Sequence, residues 1–211
     1  LLVDASSSGQ FGTRERFKSD TAAELCALLA FSAIKNNDKV GLIIFTDRIE
    51  KFVPPKKGRG HVLRIIREIL YFKPEGVGTD VSGALEYFNR VIKRRSVVFL
   101  VSDFLSEGYQ QPLQIANRKH DIIAVKITDP RESSFDDVGL IELEDSETGE
   151  VVLVDTGSES FRREFAARAE EDSRMLQRSL RLINLDFINI QTNEPYIVPL
   201  INFFRMREKR R

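Results

Sequence analysis

Short apolar runs alternate along the chain with longer stretches whose apolar residues recur every three or four positions. The runs cover 1–3, 40–45, 97–101 and 122–125, rich in Val, Ile and Leu, the last two within strands expected over 96–101 and 121–127. Each is too short for a helix, and its apolar character is continuous, the mark of a strand covered on both faces. The periodic stretches predict helices over 21–36, 61–72, 81–92, 109–118 and 158–183. Their stripes include Leu25, Leu28 and Leu29, then Val62, Ile65, Ile66 and Ile69, then Val81, Ala84, Leu85 and Phe88. Thr21-x-x-Glu24 reads as a capping box for the first of them. Thr46-Asp47-Arg48 turns the chain after the second strand into 49–53, an alternating edge strand that Pro54-Pro55 should end. Runs 140–143 and 151–154 flank Glu147-Thr148-Gly149 as a second hairpin. A strand over 187–190 follows, and Asn193 with Pro195 marks the start of a last helix.

The order strand, helix, hairpin, helix, helix, strand, helix, strand implies a Rossmann-like α/β three-layer sandwich. Its central sheet should be mostly parallel, with one antiparallel edge strand and helices on both faces. No repeat or linker interrupts it, so a single domain over 1–211 is the economical reading. The chain opens within a strand and without Met, which reads as a fragment of a longer protein.

Composition removes several functions. Lys and Arg total 32, as do Asp and Glu, in 211 residues. Net charge zero argues against a nucleic-acid binder. One cysteine, Cys26, excludes a disulfide framework or a thiolate zinc cluster. No apolar run approaches the roughly 18 residues of a membrane span. A cytoplasmic location suits this composition.

The chemistry concentrates at strand ends. Asp4, Ser6 and Ser8 stand at i, i+2 and i+4 after the first strand, so an extended backbone points all three side chains one way. Parallel sheets place ligands at this carboxyl edge. Carboxylate and hydroxyl oxygens suit a hard cation such as Mg²⁺. A serine-rich turn is the plainer alternative for these three alone. Two further residues reach the same edge: Thr79, in the glycine-rich loop Gly76-Val77-Gly78-Thr79-Asp80, and Asp103, just after the strand 96–101.

Catalytic patterns are missing. No G-x-S-x-G elbow occurs, and no Lys follows the glycines at 76 and 78 as a P-loop requires. The second Asp of haloacid-type phosphatases is replaced by Ser6. His61 and His120 read as structural or surface residues, Cys26 as a buried inert thiol, and Pro54 to His61 as a solvated basic loop.

Asp4-x-Ser6-x-Ser8, with Thr79 and Asp103, resembles the metal-ion-dependent adhesion site of von Willebrand factor type A (VWA) domains. Longer stretches are similar to the bacterial "domain of unknown function 58" family. These are Phe31-Ser32-Ala33-Ile34-x-Asn36-Asn37-Asp38-Lys39-Val40-Gly41, the stretch from Phe45 through Pro54-Pro55 to Arg59, Ala116 to Asp121, and Asp145-x-Glu147-Thr148-Gly149. The resemblance implies a VWA-like domain that holds Mg²⁺, or alternatively Mn²⁺ or Ca²⁺, through Asp4, Ser6, Ser8, Thr79 and Asp103. It implies a partner protein offering an acidic side chain, with a MoxR-type AAA ATPase as the candidate. It also implies that an N-terminal segment of the full protein is absent. The expected function is therefore a non-enzymatic, metal-dependent interaction module. The rivals are an Mg²⁺-dependent phosphoester hydrolase, with Asp103 or Asp47 as base, and a structural domain with a vestigial site.

Overall fold

The computed structural model describes residues 1–7, 12–13, 16–144 and 149–209. Six strands form one sheet: β1 (Leu2–Asp4), β4 (Val40–Phe45), β5 (Ile49–Lys56), β6 (Val97–Val101), β7 (Asp121–Thr128) and β10 (Asp186–Gln191). Their order is β10-β7-β6-β1-β4-β5. Every neighbouring pair is parallel except β4 with β5. Two small antiparallel pairs stand apart: β2 (Gly12–Thr13) with β3 (Arg16–Phe17), and β8 (Leu140–Glu144) with β9 (Val151–Asp155). Among the described residues six α-helices accompany them: α1 (Lys18–Lys35), α2 (Arg59–Leu70), α3 (Val81–Val91), α4 (Gln110–Lys119), α5 (Glu159–Leu182) and α6 (Ile197–Glu208).

Strand side chains alternate between two buried faces. Val3, Ile44, Val101 and Val125 point to one core, which α1, α2 and α6 cover with Leu25, Ile65 and Phe203. Leu2, Ile43, Leu100 and Ala124 point to the other, under α3, α4 and the end of α5 with Leu85, Leu113 and Leu180. Both faces are covered, which is why the strands read as continuous apolar runs. The Rossmann-like three-layer expectation and the single antiparallel edge of the main sheet hold.

Three boundaries differ from the sequence reading. β5 does not stop at Pro54-Pro55 but runs through both prolines to Lys56. It lies at the sheet edge, where a residue without an N–H leaves no ladder bond unmade. Pro55 packs over Gly41, where a Cβ would stand 2.9 Å from its ring. α1 begins at Lys18, ahead of Thr21. Asp20 holds its first turn by accepting from the Phe17 N–H at 3.4 Å. α6 begins at Ile197, and Pro195 precedes it with its carbonyl accepting from the Val198 N–H at 3.2 Å. The turn expected at 147–149 falls largely outside the described residues. Among those described, no helix is long and apolar enough to cross a membrane.

Candidate metal centre

From β1 the chain proceeds to β4 on one side, while β6 flanks β1 on the other. Between β1 and β6 the connections diverge, and there a parallel sheet opens a crevice at its carboxyl edge. Val3 lies opposite Val101. Asp4 therefore stands on one lip of the crevice and Asp103, two residues past β6, on the other.

Asp4 is held on both oxygens. Its Oδ1 accepts from the Ser6 N–H at 3.0 Å, and its Oδ2 accepts from the Ser102 hydroxyl at 2.7 Å. The Ser102 oxygen in turn accepts from the Phe104 N–H at 3.1 Å, and Asp103 Oδ1 accepts from the Leu105 N–H at 3.1 Å. Phe104 bends the chain between them with φ 61°. A left-handed backbone is uncommon for a bulky residue and marks a position fixed by its surroundings. The turn brings Ser102 and Asp103 to the same pocket as Asp4, Ser6 and Lys18, with a volume of about 40 Å³. That is room for a water or a single ion.

Thr79 arrives on a separate, firmly tied loop. The Ser7 N–H and hydroxyl both donate to the Val77 carbonyl, at 3.0 and 3.1 Å. The Asp80 N–H donates to the Thr46 carbonyl at 2.9 Å. Glu50 Oε1 accepts from the Gly76 N–H at 2.7 Å, the Glu75 N–H at 3.1 Å and the Thr46 hydroxyl at 3.0 Å. The loop is thereby clamped between the end of β1 and the β4–β5 turn. Gly76 is needed there, because a Cβ would collide with Thr46 Oγ1 and Asp47 Oδ1. Asp80 then caps α3 by accepting from the Gly83 N–H at 2.9 Å.

Two atoms of the expected set are left over. Thr79 Oγ1 and Asp103 Oδ2 are buried and lack hydrogen-bond partners. Such orphans are uncommon in folded proteins and call for an explanation. Burial, and then the like charge of Asp103, raise the Asp4 carboxyl from 3.8 to about 6, against the hydrogen bonds from Ser102 and Ser6. Among the described residues, no three His, Cys, Asp or Glu side chains gather as a metal cluster. A cation at this edge would thus rest on two carboxylates and neutral hydroxyls, an all-oxygen set that fits Mg²⁺. Ser8, the remaining member of the expected set, lies outside the described residues.

A protein cation also reaches the pocket. Lys18 Nζ lies 3.8 Å from Asp103 Oδ2 and 2.6 Å from Glu132 Oε1. The side chains of Lys18 and Asp103 are each 5% exposed. The histidines sit at the opposite edge of the sheet. His61 contacts the carbonyl of Val40, the first residue of β4, at 2.9 Å. His120 immediately precedes β7 and packs on Phe88 with ring centroids 4.5 Å apart. Cys26 is fully buried, and burial pushes its thiol up to about 12.

Residues 1–175 match the family model described as "Protein of unknown function DUF58". The chain belongs to this family. An uncharacterized protein of Mycobacterium bovis is 28% identical to the DUF58 chain over 212 residues, covering 99% of this chain and 67% of that protein. An uncharacterized protein of Mycobacterium avium is 28% identical over 160 residues, covering 74% of this chain and 94% of that protein. The structure of the conserved hypothetical protein BatB from Bacteroides thetaiotaomicron superposes with TM-score 0.62 at 14% identity, over 98% of this chain and 95% of that one. An aerotolerance-related membrane protein from Bacteroides fragilis gives TM-score 0.60 at 15% identity, over 95% and 93%. The DUF58 chain shares the fold of these two proteins.

Sequence reasoning missed four residues: Ser102 and Lys18, which line the pocket, Glu132, which pairs with Lys18, and Glu50, which ties the Thr79 loop. Ser102 adjoins Asp103, and its place at a strand end was the available signal. The other three act across long separations and carry no local pattern.

Proposed function

We propose that this domain is a metal-ion-dependent protein–protein interaction module working in the cytoplasm. Asp4, Ser6, Ser8, Thr79 and Asp103 would hold Mg²⁺, with Mn²⁺ or Ca²⁺ as substitutes. The observation that carries the reading is the pair of orphaned buried oxygens, Thr79 Oγ1 and Asp103 Oδ2, on two loops at the edge that bears Asp4. With only two carboxylates in the set, a bound ion keeps net positive charge and can take an Asp or Glu from a partner. Asp4 is oriented by Ser6 and Ser102, Asp103 by the Leu105 N–H, and the Thr79 loop by Glu50. Both histidines lie at the far edge of the sheet, which supports binding over hydrolysis. Resemblance to the family suggests a MoxR-type AAA ATPase as the partner.

The test is recovery of that ATPase on immobilised domain, with Mg²⁺ and then with EDTA, for the natural chain and for Asp4→Ala. Recovery should need the divalent ion and fall with Asp4→Ala. Equal recovery under all four conditions refutes the reading. Turnover of phosphoester substrates with Mg²⁺, abolished by Asp4→Ala, would instead favour the hydrolase.

A further inference from the structure

Lys18 is a charged side chain with almost no contact with solvent. It is the first residue of α1, and its ammonium is shared unequally by two carboxylates: Glu132 at 2.6 Å and Asp103 at 3.8 Å. A buried ammonium is held only where charge and hydrogen bonds compensate it. Glu132 cannot follow it freely. Its Oε2 accepts from the Asp129 N–H at 3.3 Å, and Asp129 is itself buried, accepting from the Thr192 hydroxyl at 2.8 Å and the Arg131 N–H at 3.0 Å. The lysine therefore has a fixed anchor on one side and, on the other, the oxygen of Asp103 that has no hydrogen bond. Lys126 adds positive potential nearby. Burial lowers it, while the charges of Glu132 and Asp103 raise it.

We propose that Lys18 is the built-in counter-cation of the candidate metal site and sets its affinity. With no metal bound, its charge balances Asp103 and limits the repulsion between Asp103 and Asp4. A divalent ion sharing Asp103 must bind beside an ammonium that cannot leave, so the site loads only at higher ion concentration. Glu132 tunes the effect by drawing the ammonium away from Asp103. The inference rests on the metal reading given above, and concerns which residue sets the affinity rather than which residues bind.

Isothermal titration of Mn²⁺ into the 211-residue chain and its variants tests it, with melting in EDTA as the check of folding. Lys18→Met should tighten Mn²⁺ binding by about tenfold or more, the order expected on removing a unit charge beside a ligand at an effective dielectric constant of about 20. It should also lower the melting temperature in EDTA, where Asp103 loses its balance. Glu132→Gln should act oppositely and weaken Mn²⁺ binding by several-fold. In the Lys18→Met background Glu132→Gln should have little further effect, since its action runs through the lysine. A merely structural pair would weaken binding in both single variants. If Lys18→Met binds Mn²⁺ no tighter than the natural chain, the proposal is overturned while the metal reading stands. If Lys18→Met does not fold, Lys18→Gln takes its place with the same expected tightening, and binding no tighter than the natural chain overturns the proposal. If neither the natural chain nor Lys18→Met binds Mn²⁺, both readings fail. Binding seen only in Lys18→Met, and lost again on adding Asp4→Ala, supports both.

Discussion

Replacing Asp4 by Asn should stabilise the metal-free domain while abolishing its response to divalent ions. The carboxyl is raised from 3.8 to about 6, first by burial and then by the facing charge of Asp103. A folded-state value above the unfolded one means that the favourable contribution is complete below pH 3.8 and is lost as pH rises through about 6. At neutral pH the ionised carboxylate then costs about 3 kcal/mol relative to the unfolded chain, taking 1.36 kcal/mol per unit. Asn removes that charge and keeps one acceptor for the Ser6 N–H or the Ser102 hydroxyl. Its amide N–H₂ faces the other donor, which returns about 1–2 kcal/mol. The net gain of about 1–2 kcal/mol corresponds to about 3–6 °C in melting temperature for a chain of this size. The assay is thermal melting of both proteins in EDTA from pH 4.5 to 8. The difference should grow between pH 4.5 and 6.5 and then level. With Mn²⁺ the natural chain should gain stability and Asp4→Asn should not. A variant less stable than the natural chain at pH 7.5 in EDTA, or a difference independent of pH, would refute the reasoning.

Other consequences are accessible to simple measurements. Gly76→Ala forces a Cβ onto Thr46 and Asp47, so urea unfolding should show a loss of about 1–3 kcal/mol and Mn²⁺ should no longer stabilise the variant. His120 is buried with both ring nitrogens unpaired, and burial followed by the charge of Lys119 lowers it below 6.5. Its contribution is full above pH 6.5 and declines as pH falls below that, so His120→Leu should flatten the stability slope between pH 6.5 and 5 in urea titrations. Cys26, with its thiol pushed up to about 12, should resist Ellman's reagent in the folded chain and react only on unfolding. Labelling within minutes under native conditions would contradict its placement in the core.

The layers of the fold were legible because burial on two faces writes itself into composition. Strands β4, β6 and β7 are apolar along most of their length, and α2 and α3 carry a single stripe. The boundaries that failed are those set by tertiary position. Pro54 and Pro55 end a strand in general but not at a sheet edge, and α1 begins ahead of Thr21, at Lys18, where Asp20 rather than Glu24 holds the first turn. The candidate site divides the same way. The places of Asp4 and Asp103 on one pocket were legible because strand ends locate them; Thr79 was read from its glycine loop and is not among the residues that line that pocket. Ser102 acts on Asp4 across 98 residues, Lys18 on Glu132 across 114, and Glu50 on Gly76 across 26. No spacing rule reaches over such distances.

The placement of β1 between β4 and β6 bears on how the protein is made. Asp4 is among the first of these residues to leave the ribosome, and its partner Ser102 follows 98 residues later. At about 5–20 residues per second, that interval is of the order of 5–20 s. Throughout it, β1 lacks the neighbour on one of its edges, and an apolar strand with an open edge is prone to pair wrongly. Adding Lys18 to Glu132, at a separation of 114, lengthens the wait further. An ion present during synthesis therefore cannot template the early steps, because the residues that would hold it meet only when the sheet closes. Any ion held at the carboxyl edge would therefore load only onto the finished domain.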